Sequence, residues 1–197
     1  MKVLALSPHT DDIELGCGGY LTKLHEQGHE LEAVVFSDCS AFWGELPLVE
    51  ECVNSLSYVG VRPSILSFQM RNFSRQYVLD VMMSLDTPDV VLIPSSSDVH
   101  QDHQVIHNEG VRAFSRDCSI LSYELPWNCR GFKPNFFVEL KEKHLNGKLE
   151  MLSCYKSQIE LHRPYFDNEL IRGLARNRGL QVKKEFAEAF EVITWID

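Results

Sequence analysis

Positive charge is in short supply: 19 Lys and Arg stand against 28 Asp and Glu, for a net charge of −9. That balance repels a phosphate backbone and an anionic membrane surface, so no nucleic-acid partner is expected. Long apolar runs are missing too. The opening stretch Met1-Lys2-Val3-Leu4-Ala5-Leu6 meets polar Ser7 at once, too short for a signal peptide or a membrane span, and the expected location is the cytoplasm. None of the six cysteines, at 17, 39, 52, 118, 129 and 154, forms a C-x-x-C pair. This argues against a disulfide framework or a Cys-rich zinc site and leaves them as small, reduced apolar residues. Internal repeats, low-complexity tracts and linkers are also lacking.

What is present is an ordinary globular composition, 44% hydrophobic and 24% charged, in a chain of single-domain length. Residues 1–197 are expected to form one domain. Lys2–Ser7, Glu32–Ser37 and Asp89–Pro94 are short runs rich in Val, Leu and Ile, as strands buried on both faces require. Between them Ile13–Gln27, Leu48–Val59 and Tyr77–Leu85 read as helices closed by Gly or Pro. Ser64–Phe68 can add a strand, Asp102–Phe114 a helix, Ser119–Leu125 and Asn135–Leu140 late strands, and Glu142–Ser153 a further helix. Beyond that the pattern loses its period. The alternation predicts an α/β sandwich with a mainly parallel central sheet.

In open α/β sheets ligands bind beyond the carboxyl ends of the strands. Two segments there carry chemistry: Ser7-Pro8-His9-Thr10-Asp11-Asp12-Ile13-Glu14 after the first strand, and Asp98-Val99-His100-Gln101-Asp102-His103 after the strand ending at Pro94. His9 and Asp12, three apart, can point at one spot while Asp11 is displaced from it. A catalytic zinc needs three N or O ligands and an open position, and His103 is the candidate third ligand. A second histidine from His100 and His103 would close the open position, so one of the pair is left over for charge or proton transfer. Asp102 reads as the orienting partner of a histidine. The competing reading makes Asp11-Asp12 a helix cap and His-x-x-His a surface face; the joint placement of both segments at strand ends weighs against it. Gly16-Cys17-Gly18-Gly19 fails the dinucleotide spacing because Leu21 stands where glycine is required. Close packing of that helix on the sheet is the better reading.

These segments resemble the PIG-L (LmbE-like) deacetylase family. Its P/A-H-P/A-D-D signature is met by Pro8-His9-Thr10-Asp11-Asp12, with only Thr10 departing, and its H-x-D-H signature by His100-Gln101-Asp102-His103. Ala175-Arg176-Asn177-Arg178-Gly179 and Phe186-Ala187-Glu188-Ala189-Phe190 look like the family's A-x-x-R-G and Y-A-E-A-F stretches. The resemblance implies a Rossmann-like three-layer sandwich and zinc-dependent removal of the N-acetyl group from a GlcNAc-type amino sugar, a small-molecule substrate. It implies metal ligands His9, Asp12 and His103, a general base Asp11, a transition-state histidine His100 carrying positive charge, and an orienting Asp102. Such a donor set also accepts iron, cobalt or manganese. Two positions depart from the family. The Ser37–Glu45 stretch lacks the arginine that contacts the sugar, and Asp98 stands where some members place a carbonyl-polarising tyrosine. Phe42, Trp43 and Asp98 are therefore the expected substrate contacts, with a substrate larger than the bare monosaccharide. A metalloamidase on another N-acyl compound, a non-catalytic carbohydrate- or nucleotide-binding module, and homo-oligomerisation are left open.

Overall fold

Strand β1 (Lys2–Ser7) sends Val3 and Ala5 to one face and Leu4 and Leu6 to the other, all fully buried. Apolar residues on both sides of a strand demand a covering layer on each face of the sheet. The computed structural model describes residues 1–44 and 46–197. Helix α1 (Asp12–Glu26) leads to β2 (Glu30–Val35), which pairs with β1 in parallel from Lys2↔Glu30 to Ser7↔Val35. A short α2 (Ser40–Trp43) and α3 (Leu48–Ser57) precede β3 (Ser64–Ile65), and α4 (Val78–Met83) precedes β4 (Val90–Pro94). Then follow α5 (Gln101–Phe114), β5 (Ser119–Tyr123), β6 (Phe136–Leu140), α6 (Glu142–Ser153), α7 (Lys156–Glu160), α8 (Asn168–Gln181) and β7 (Phe186–Thr194).

The seven strands form one sheet in the order β3-β2-β1-β4-β5-β7-β6. The first five run parallel, and β7 lies antiparallel between β5 and β6. One core joins Val3, Ala5, Val35 and Leu92 to α1, α3, α6 and α8; the other joins Leu4, Leu6, Val91 and Ile93 to α4 and α5. Chain direction across the sheet reverses at β1, with β2 on one side and β4 on the other. A crevice therefore opens above the carboxyl ends of β1 and β4. No helix among the described residues is long and apolar enough to cross a membrane.

The mainly parallel sandwich agrees with the sequence, and the differences lie at the edges. β2 begins at Glu30 and ends at Val35, and β3 shrinks to two residues. α8 and β7 gave no clear period. In α8 only Ile171, Ala175 and Gly179 are buried, so its inward stripe holds one large apolar residue. In β7 five consecutive residues from Phe186 to Phe190 are buried, Glu188 included, which erases the alternation of a half-exposed strand.

The glycines of α1 pack the helix onto the sheet. A Cβ at Gly16 would stand 2.2 Å from the Tyr123 ring, and one at Gly19 would stand 2.5 Å from Leu140. Overpacking of that kind costs about 1–3 kcal/mol. Between them Cys17 leaves helical geometry at φ −143°, ψ 19°. Lys148 Nζ donates to the Leu15 carbonyl at 2.8 Å, while the N–H groups of Gly19 and Tyr20 donate to Glu188 at 3.0 and 2.6 Å. The ammonium and carboxylate meet at 2.7 Å. The F-A-E-A-F stretch thus satisfies the break in α1, and removing either charge would leave the other buried and unpaired, at a cost of about 3–5 kcal/mol.

Candidate metal centre

His9 leaves the carboxyl end of β1 and Asp12 opens α1; the His9 N–H donates to Asp12 Oδ2 at 2.9 Å, which fixes the turn between them. Asp11 occupies the N-cap position of α1 without any side-chain capping bond. The helix-cap reading of this carboxylate therefore has no hydrogen bond behind it. Across the crevice, His100 is the N-cap of α5 and takes the Asp102 N–H on its Nδ1 at 3.2 Å, while Asp98 Oδ1 takes the His100 N–H at 2.8 Å.

The two segments brace one another. Asp102 Oδ2 holds His9 Nε2 at 3.1 Å, and Asp98 Oδ2 holds His103 Nδ1 at 2.7 Å. With one ring nitrogen of each histidine taken by a carboxylate, the other is aimed inward. His9 Nδ1 lies 3.2 Å from Asp12 Oδ2, His103 Nε2 lies 3.3 Å from the same oxygen, and the two nitrogens are 3.2 Å apart. Three ligands of a tetrahedral zinc, each about 2.0–2.1 Å from the ion, stand about 3.3–3.4 Å from one another. The triangle has that size. A second set can be drawn from His9, His100 and His103, whose ring nitrogens fall within 4.8 Å of one another. The first set is preferred physically: it is tighter and it includes a carboxylate.

Charge follows from the packing. Burial opposes protonation of His9, but hydrogen bonds to Asp102 and Asp12 outweigh it and raise its pKa to about 10. Asp12 is held well below the carboxylate range: burial works the other way, and the imidazoles of His103 and His9 overcome it. Asp11 is pushed up to about 7, by burial first and by the Asp12 charge second. His100 is lowered to about 4 by burial and by the neighbouring His103 and His9. In the metal-free protein this shift favours a neutral His100 ring at pH 7 over the charged one expected. A neutral ring whose Nδ1 accepts carries its proton on Nε2 and is an N–H donor there.

These groups floor a cavity of about 250 Å³. Phe42 and Trp43 line it from α2, neither being buried, with their rings 5.2 Å apart at 71°. The stretch they belong to ends at Glu45, which lies outside the described residues. Asp98, expected at the substrate, is 1% exposed and stands behind His103 with both oxygens engaged. Asp102 sits behind His9 and also accepts the Arg71 N–H at 2.6 Å. Sequence reasoning missed Arg71, Trp127 and Tyr165, all on the cavity wall, with Trp127 and Tyr165 stacked at 4.7 Å. Arg71 and Trp127 follow the ends of β3 and β5, so the carboxyl-end rule could have found them. Tyr165, in a 3-10 turn at Pro164–Phe166, carried no such signal.

The fold is an α/β sandwich of Rossmann-like type, with a cluster of histidines and carboxylates at the topological switch of its sheet. The family described as GlcNAc-PI de-N-acetylase (PIG-L) matches residues 4–114, and the chain belongs to it, as a deacetylase of the PIG-L/LmbE type. The uncharacterised deacetylase YaiS of Escherichia coli K12 is 32% identical over 168 residues, 79% of this chain and 90% of that protein. Diacetylchitobiose deacetylase of Thermococcus kodakarensis is 26% identical over 232 residues, 99% of this chain and 84% of that protein. The crystal structure of the conserved protein TT1542 from Thermus thermophilus superposes with a TM-score of 0.81 at 21% identity, over 99% of this chain and 96% of that one, a likeness of fold.

Proposed function

We propose that residues 1–197 form one catalytic unit that removes the acetyl group from an N-acetylated amino sugar, with zinc held by His9, Asp12 and His103. The observation that carries this reading is the donor triangle of 3.2–3.3 Å beside an uncapped carboxyl group, Asp11, raised to about 7. A divalent cation in that triangle would supply Lewis-acid polarisation of the acetamide and a lowered pKa for water.

The chain's own groups do the rest. Asp11 takes the proton of the attacking water as its oxygen adds to the acetyl carbon, since a base near neutrality is suited to that transfer. His100 Nε2–H donates to the carbonyl oxygen as negative charge develops there. When the C–N bond breaks, the proton held by Asp11 passes to the nitrogen, and acetate and a free amine leave. Asp102 and Asp98 keep the His9 and His103 rings in one tautomer and orientation. Trp43 and Phe42 present ring faces on which the apolar side of a sugar, or a group attached to it, can stack. A carbohydrate substrate is supported by the chitobiose deacetylase among the relatives. A cytoplasmic setting is supported by six unpaired thiols, which such a compartment keeps reduced.

The test is acetate release by metal-loaded protein from N-acetylglucosamine, diacetylchitobiose and a set of N-acetyl amino acids, with chelated protein as control. Release from the sugars alone, lost on chelation, is expected. Release from the amino acids alone would favour the metalloamidase, and stoichiometric metal with no release from any of them would favour a binding module.

A further inference from the structure

Asp11 is the group on which the proposed proton transfer turns, yet its side chain makes no capping bond. The place of its carboxyl group is therefore set by the backbone of the turn. Every carbonyl of that turn has a donor. Pro8 O accepts from the Ser37 N–H at 3.1 Å, His9 O from Ser7 Oγ, and Asp11 O from the Leu15 N–H at 3.1 Å. These three donors belong to the strand ends and to α1. The fourth carbonyl, Thr10 O, accepts from the hydroxyl of Tyr155, 145 residues further along the chain. Thr10 is 2% exposed and Tyr155 is fully buried, and a buried carbonyl needs such a partner.

The hydroxyl is itself held in place. Tyr155 is the N-cap residue of α7, with its ring packed 5.6 Å from that of Phe166. Its oxygen also lies 2.7 Å from Glu14 Oε1, which accepts from Ser55 Oγ at 2.7 Å. Glu14, Ser55 and Tyr155 are all fully buried, so α1, α3 and the start of α7 meet at one hydroxyl bonded to the Thr10–Asp11 peptide. An apolar cluster of the same volume would join these helices at lower cost. What it lacks is a donor for Thr10 O. We propose that Tyr155 is a positioning residue: its hydroxyl fixes the Thr10–Asp11 peptide and thereby aims the Asp11 carboxyl group at the proton it receives. The inference rests on the reading of Asp11 as the general base. Without the hydroxyl, Thr10 O is a buried acceptor with no donor, at a cost of about 1–3 kcal/mol, and the peptide turns to recover one. His9 and His103 are braced separately by Asp102 and Asp98, and Asp12 is held by the His9 N–H, so the donor triangle stays.

Tyr155→Phe in the zinc-loaded full chain decides it, because the substitution removes one oxygen and keeps the ring. A loss of about 1–3 kcal/mol leaves a domain of ordinary stability folded. In this variant kcat for acetate release from N-acetylglucosamine or diacetylchitobiose should fall about 10- to 100-fold, with KM and zinc content unchanged. The same substitution in an Asp11→Asn background should change kcat less than about twofold, because the group it positions is already gone. Crystal structures of the wild type and Tyr155→Phe add a readout that needs no substrate. The Asp11 carboxyl group should move by about 0.5 Å or more, with His9, Asp12 and His103 in place. A melting temperature that falls while kcat and the Asp11 position hold would overturn the proposal and leave Tyr155 a packing residue. An equal loss of kcat with and without the Asp11 carboxylate would overturn it too. If Asp11→Asn alone leaves kcat intact, or no sugar releases acetate, the functional reading falls, and the pair of crystal structures still decides whether Tyr155 sets the place of Asp11.

Discussion

The floor and the rim of the cavity are built on different principles. On the floor, four side chains from the ends of β1 and β4 hold one another: Asp102 braces His9 across the crevice, Asp98 braces His103, and none of the four is more than 8% exposed. On the rim, Phe42 is 47% exposed, and aromatic stacking under two guanidinium groups replaces hydrogen bonding. A braced, dry cluster fixes geometry to a fraction of an ångström, as coordination and proton transfer need. A stacked, half-wet wall contributes area and tolerates variation in what it covers. Chemistry is therefore assigned to the floor and selectivity to the rim.

The strongest way to break this division is to remove a floor ligand. Asp12→Ala or His103→Ala should strip the metal, with affinity falling beyond the about 10- to 100-fold that loss of an outer partner costs, as read by metal analysis after dialysis. Full metal content in both variants would end the ligand assignment. Loading the wild type at pH 7 should also release a proton, because His9, raised to about 10 in the metal-free protein, must give one up. Titration in buffers of different ionisation enthalpy reads this directly.

Asp11→Asn should keep the metal and lower kcat by about 10²–10⁴. In the wild type the rate should fall as pH drops, since a base whose pKa lies at about 7 in the metal-free protein is protonated below it; a bound cation moves that limb to lower pH. Asp11→Asn should abolish the limb. Next come the braces: Asp98→Asn and Asp102→Asn should each weaken the metal by about 10- to 100-fold. If Asp98→Asn instead raises KM with metal affinity intact, Asp98 belongs to the substrate after all. At the rim no effect on the metal is expected: Trp43→Ala should cost about 1–3 kcal/mol in kcat/KM, with metal content and melting temperature nearly unchanged. A loss of metal in that variant would erase the distinction between the two regions.

The same division governs what could be read in advance. His9 and Asp12 lie three residues apart at one strand end, and His100 and His103 three apart at another, so local spacing and the carboxyl-end rule sufficed to place them. The roles of Asp98 and His100 needed the fold. Only when α5 docks does Asp98 pass behind His103, and only in the folded site do burial and the neighbouring imidazoles of His103 and His9 lower the His100 pKa. Arg71, Trp127 and Tyr165 come from three separate connections with no shared motif, and their convergence is a property of the tertiary structure alone. Buried Glu188 hid β7 for a related reason: the carboxylate that spoils the strand pattern answers a break in α1 some 170 residues away in sequence.

The most direct measurement is X-ray absorption at the zinc edge of the loaded protein, alongside His100→Ala. Two imidazoles and an oxygen shell at about 2.0–2.1 Å are expected, unchanged in His100→Ala. Three imidazoles in the wild type, or a loss on His100→Ala, would contradict the His9–Asp12–His103 centre and leave His100 a ligand.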